Sequence, residues 1–106
     1  MSQLNQRIPA RLHDIRVVLN YGPLGFVQAV TESIAHDQMQ VNTGSITLNK
    51  NAEVEIMISI PGRRHSEHHR ISAQVLHCCE DGKTTLDFRC CKESTMLALL
   101  PYLTRH

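Results

Sequence analysis

The sequence predicts a mainly β protein: a six-stranded antiparallel β-barrel followed by a C-terminal α-helix. Three observations point there. Val54, Ile56, Ile58 and Ile60 alternate strictly with Glu53, Glu55, Met57 and Ser59, the period of a strand with one buried and one wet face. Asp81-Gly82 separates two runs with apolar residues at every second place, Ile71, Ala73, Val75 and Leu86, Phe88, Cys90, as a two-residue hairpin turn with positive φ at both central positions does. A helical stripe occurs only in the tail, where Met96, Leu99, Leu100 and Leu103 fall at i, i+3, i+4 and i+7.

Each element follows in order. Ile8, Ala10 and Leu12 occupy even positions, whereas Ile15, Val17 and Leu19 occupy odd ones. The change of parity near His13-Asp14 predicts a bulge or a sharp bend, as a closing barrel requires. Gly22-Pro23 ends this first strand. Phe26 to Val30 opens the second, with Phe26 at a core-like position, and Met39 to Val41 opens the third. Asn49-Lys50-Asn51 forms the turn before the fourth strand, which Pro61-Gly62 ends. In the tail, Ser94 or Thr95 is positioned to cap the helix, and its stripe is expected to pack on the barrel. Pro101 removes a backbone donor and clashes one turn back, which predicts a break near Ala98 to Leu100.

A chain of 106 residues, 42% of them apolar, fits one domain over residues 1–106. Its apolar runs fall far short of the roughly 20 residues that cross a bilayer. The start, Met1 to Arg7, lacks the apolar core of a secretory signal. These features predict a cytoplasmic protein with four free thiols. A net charge of +1 argues against a general nucleic-acid binder. Eight of the eleven basic residues are nevertheless arginine, whose planar fork suits phosphate and guanine edges. Arg7, Arg11 and Arg16 cluster near the N-terminus.

The chemistry-bearing stretches read mostly as structure. Arg63-Arg64-His65-Ser66-Glu67-His68-His69-Arg70 contains metal-ligand types, but its arginines would repel a cation, and it reads as a solvated loop between strands. Cys78-Cys79 and Cys90-Cys91 lack the two-residue gap of a zinc knuckle. With Glu80 and Lys83 flanking the turn, Cys79 faces Thr84 and Cys90 faces Ala73. Those thiols then lie about 20 Å apart at strand rise, too far for a disulfide or a shared metal. His77 and Cys78, as successive strand residues, point to opposite faces. No nucleophile elbow, zinc-protease motif or phosphate loop occurs, and the aromatics are too few to stack bases. The reading is a binding protein without catalytic residues, bound metal or cofactor.

The order of parts resembles a PilZ domain, the bacterial receptor module for cyclic di-GMP. Arg7-Ile8-Pro9-Ala10-Arg11 opens the first strand, and a turn motif is expected near residues 33–38. Ala73-Gln74-Val75-Leu76, Leu86-Asp87-Phe88 and Met96 to Leu103 follow as closing strands and helix. The resemblance spans essentially the whole chain and implies two ligand-gripping elements. An R-x-x-x-R pair would correspond to Arg7 and Arg11, or, in the register set by the following hydrophobic-Pro pair, to Gln3 and Arg7. Guanidinium forks there would take guanine O6/N7 and phosphate oxygens in pairs. A [D/N]-x-S-x-x-G turn falls on Ser33, Ala35 and Gln38, so all three of its signature residues are replaced. The resemblance implies a regulatory domain in cyclic di-GMP signalling with weakened binding. The alternative it implies is an adaptor that contacts a protein partner in a pilus, motility or surface-behaviour pathway without nucleotide.

Overall fold

Alternation drives six segments into strands, and the structure, a computed structural model, describes residues 11–103. The strands are β1 (Arg16–Tyr21), β2 (Gly25–Ile34), β3 (Gln38–Asn42), β4 (Glu53–Ile60), β5 (Glu67–Cys78) and β6 (Lys83–Cys90), followed by α1 (Glu93–Leu99). They close into an antiparallel barrel in the order β1-β2-β3-β6-β5-β4. The predicted fold class is the observed one.

The inward residues of each strand form one core. Val17, Leu19 and Tyr21 face Ile56, Ile58 and Ile60, together with Ile71, Ala73 and Val75, Met39 and Val41, and Leu86. Leu48 enters from the β3–β4 loop and Leu99 from α1, and both are buried. The Leu48 N–H contacts Cys78 at the end of β5, while α1 is bonded to His69 near its start. The loop and the helix thus cover opposite ends of the barrel. No helix among the described residues is long and apolar enough to cross a membrane.

The expected break before β1 is a 3₁₀ turn, Leu12–Asp14. It re-phases the chain so that Ile15, Val17 and Leu19 point inward. The break in the tail is also present: α1 stops at Leu99, and Leu100–Tyr102 winds as a 3₁₀ turn around Pro101.

Five local expectations need correction. Phe26 is 69% exposed, because the pairing of Leu19 with Val27 puts Val27 inward and turns Phe26, opposite Asn20, to the outside. Phe88 is half-buried against the core. The stripe on α1 is narrower than i, i+3, i+4 spacing implies. Leu99 is buried, but Leu100 is 51% exposed, since the tighter 3₁₀ winding rotates it off the helical face. The helix has Lys92 at its N-cap with no side-chain cap, because Thr95 is turned into the barrel instead. The histidine-rich stretch is only partly loop: His68, His69 and Arg70 lie in β5, paired to Ser59, Ile58 and Met57.

The fifth correction concerns the β5–β6 turn. Only Gly82 takes a positive φ, +92°. The Cys79 N–H donates to the Lys83 carbonyl at 2.8 Å and the Gly82 N–H to the Cys79 carbonyl at 3.0 Å. The turn therefore has a left-handed glycine at its exit, a bulge rather than a two-residue hairpin. Pairing begins at Cys78↔Thr84 and, after shifts at Leu76 and Arg89, reaches Ser72↔Cys90. Cys78 and not Cys79 thus faces Thr84, and Cys90 faces Ser72 and not Ala73.

Gly82 is buried beneath the β3–β4 loop, and its carbonyl accepts the Thr43 N–H at 2.9 Å. A Cβ there would collide with the Gly44 backbone and Asn42 Oδ1. Gly82→Ala should therefore lower stability by about 2 kcal/mol or more, read as a drop in urea midpoint at constant m-value. Gly22, with open space where a Cβ would go, is the control: Gly22→Ala should stay within about 0.5 kcal/mol of the parent.

Candidate functional site

The β2–β3 hairpin carries Ser33, Ala35 and Gln38, which the resemblance set against a ligand-binding turn. Ile34 pairs with Met39, the Ala35 N–H donates to the Gln38 carbonyl at 2.7 Å, and the Asp37 carbonyl accepts the Phe88 N–H at 2.9 Å. The last bond ties the turn to β6. The Ser33 hydroxyl donates to Gln40 Oε1 at 3.3 Å across the two strands. A register shift between Thr31 and Ser33 leaves Glu32 exposed on the outer surface. The turn thus presents Glu32, His36 and Asp37 to solvent, where carboxylates oppose an anionic ligand. Gln38 is half-buried and has an ordinary negative φ, so the backbone at this place does not itself require glycine.

The N-terminal segment reaches the same place from the other side. Val17 pairs with Ala29, and continuing that register backward sets the Leu12–Asp14 turn beside the end of β2, against which it packs. Arg11 precedes this turn, exposed and extended, and its carbonyl accepts the Asp14 N–H at 3.0 Å. Arg7 and Gln3 lie outside the described residues. Burial, with the charge of Asp14 in support, pushes the Tyr102 phenol above its ordinary value.

Arg16, the third arginine of the N-terminal cluster, sits where two shallow grooves meet. One, of about 430 Å³, runs between β1 and β2 past Val18, Gln28 and Val30. The other, of about 350 Å³, crosses β1, β4 and β5 past Met57, Ser59, His68 and Arg70. Strand pairing aligns Arg16, Ser59 and His68 in one row and Val18, Met57 and Arg70 in the next. Ser59 Oγ and His68 Nδ1 are 2.9 Å apart. Neither Arg16 nor Arg70 makes an ion pair among the described residues. This cationic face was legible in principle: extending the alternation of Ile71, Ala73 and Val75 backward puts His69 inward and His68 and Arg70 outward.

His69 itself is a joint. Its Nδ1 lies 2.9 Å from Thr95 Oγ1 and its Nε2 3.3 Å from Glu67 Oε1. The order hydroxyl, imidazole, carboxylate resembles a nucleophilic relay, but Thr95 is only 2% exposed and faces no substrate. The contact attaches α1 to the barrel. No cluster of three or more His, Cys, Asp or Glu side chains able to share a metal ion occurs among the described residues.

No family model matches the sequence, and no curated protein matches it. Among solved structures, the inhibitor of motility of Bacillus subtilis (MotI/DgrA) superposes with a TM-score of 0.71, over 92% of this chain. The two share a fold. Identity is 17%, and the match covers 49% of that chain, so this chain spans about half the length of the motility inhibitor.

The His69–Thr95 contact yields a direct test. Thr95→Val and His69→Ala should each destabilise the protein by about 1–2 kcal/mol, because each leaves a buried polar partner unpaired. In a double-mutant cycle by urea unfolding, their combined cost should fall short of the sum by about 0.5 kcal/mol or more.

Proposed function

We propose that this chain is a PilZ-like regulatory domain of bacterial cyclic di-GMP signalling in which nucleotide binding is weakened. The observation that carries this reading is the convergence of Arg11, the Leu12–Asp14 turn and the 33–38 hairpin at one end of a six-stranded barrel. An N-terminal arginine pair and a strand-connecting turn would grip a dinucleotide from two sides at such a place. The likeness to a motility inhibitor supports a regulatory role over a catalytic one. Arg7 would supply one guanidinium fork, with its partner at Arg11 or, in the other register, replaced by Gln3, and Ser33, Ala35 and Gln38 would stand in for the polar turn. A hydrogen bond to a charged group contributes roughly 1.5–3 kcal/mol, so two or three lost contacts weaken affinity by several orders of magnitude.

One observation favours the adaptor reading, in which a protein partner is bound and no nucleotide. Leu24, Phe26 and Val30 stand 56%, 69% and 61% exposed around the β1–β2 hairpin. Large apolar side chains grouped on an outer face mark contact surfaces more often than isolated ones do.

Calorimetric titration with cyclic di-GMP tests the proposal. The parent chain should bind with Kd weaker than about 10 μM, and Arg7→Ala should weaken any binding further. The combined variant Gln3→Arg, Ser33→Asp, Ala35→Ser, Gln38→Gly should tighten binding by about tenfold or more, since it restores a second bidentate fork and the turn's polar groups together. A variant that keeps the parent's circular dichroism but gains no affinity would remove the nucleotide site from this turn and leave the adaptor reading.

A further inference from the structure

The end of β5 treats its cysteines unequally. A register shift between Val75 and His77 sets Leu76 apart and re-phases the strand. Cys78 then packs partly against the core, while His77 is exposed and Cys79 partly so. The Cys78 sulfur is already engaged, 3.2 Å from Thr84 Oγ1 and accepting the Leu48 N–H at 3.4 Å. On the outer side, Cys79 Sγ lies 3.1 Å from His77 Nε2. This is hydrogen-bond range for sulfur, with His77 in β5 and Cys79 the first residue past its end. The Cys79 backbone is fixed at both ends, through the Lys83 carbonyl and the Gly82 N–H, so the pair is held in place before any reagent arrives.

The geometry points to Cys79 as a reactive thiol, with His77 as its proton acceptor, poised for exchange with small-molecule disulfides. The thiolate is the attacking species. Neutral imidazole with its proton on Nδ1 leaves Nε2 free to take the Cys79 S–H proton. The Cys79 sulfur then attacks one sulfur of the small disulfide, a new S–S bond forms and the old one breaks. The departing thiolate recovers the proton from the His77 imidazolium and leaves as a thiol, so electrons and protons balance without a further oxidant. The product is a mixed disulfide. Cys78 points the other way, and Cys90, opposite Ser72, lies several strand residues distant, so no neighbouring thiol displaces the adduct.

The other thiols lack this arrangement. Cys90 is exposed where the other three are partly buried, but it has no imidazole in hydrogen-bond range among the described residues. Burial, with Cys90 beside it, pushes the Cys91 thiol above its ordinary value, which disfavours its thiolate.

Limiting iodoacetamide on the reduced 106-residue chain at neutral pH tests this, with fragment ions locating each label. Cys79 should be alkylated at least roughly tenfold faster than Cys90 despite lower exposure, still below what an ideally placed base contributes. His77→Ala should bring Cys79 down to the Cys90 rate, and added imidazole should restore it, as a purely structural role for His77 would not allow. Cys78, packed against the core in the same molecule, reports whether the variant remains folded, since unfolding would speed its labelling. Oxidised glutathione should add once, at Cys79, and Cys79→Ser should abolish that adduct. Faster labelling of Cys90, an unchanged Cys79 rate in His77→Ala, or an adduct that survives Cys79→Ser would each overturn the assignment.

Discussion

The pairing of β1 with β4, from Arg16↔Ser59 to Asn20↔Glu55, turns the six strands from an open sheet into a ring. With that ladder made, no strand presents a free edge, and every inward side chain shares one interior. Closure forces alternation, since each strand has one face toward the core and one toward water. It also fixes where function is possible. The interior is filled by side chains such as Leu19, Ile56, Ile71 and Leu86, and anything that binds must do so on the outer wall or at the ends.

Departures from regular pairing decide what the outer wall displays. The shift at Thr31/Ser33 exposes Glu32 beside the hairpin, the shift at Ser72/Ala73 sets Arg89 apart, and that at Val75/His77 brings His77 and Cys79 together. A bulge moves the following residues from one face to the other, so a single extra residue exchanges a core side chain for a surface one. Two chemically distinct regions result. The 33–38 hairpin contains no Lys or Arg, whereas Arg16 and Arg70 lie with His68 on the wall of β1, β4 and β5.

The ends of the barrel are held by different means. At one, the β3–β4 loop that carries Leu48 is joined to the Gly82 turn by the Thr43 N–H, so closely that no Cβ fits at Gly82. At the other, a short helix with no side-chain cap of its own is fastened by the Thr95–His69 contact and by burial of Leu99. A helix of this length is marginal alone, and its stability comes from the barrel beneath it.

The sequence by itself determined the strands whose alternation is strict, β4 above all. It also determined the bend before Ile15 and the helix break at Pro101, because period, proline and parity act over a few residues. The arginine cluster and the identities of residues 33, 35 and 38 were equally visible, since they are read directly from the chain. Tertiary structure alone decided that Phe26 points outward, that Cys78 and not Cys79 faces Thr84, and that His69 binds Thr95 across 26 residues of chain. Those outcomes depend on register between strands distant in sequence. Register is set by the summed burial of all six ladders and by bulges that no local pattern announces, so it becomes defined only when the ring closes.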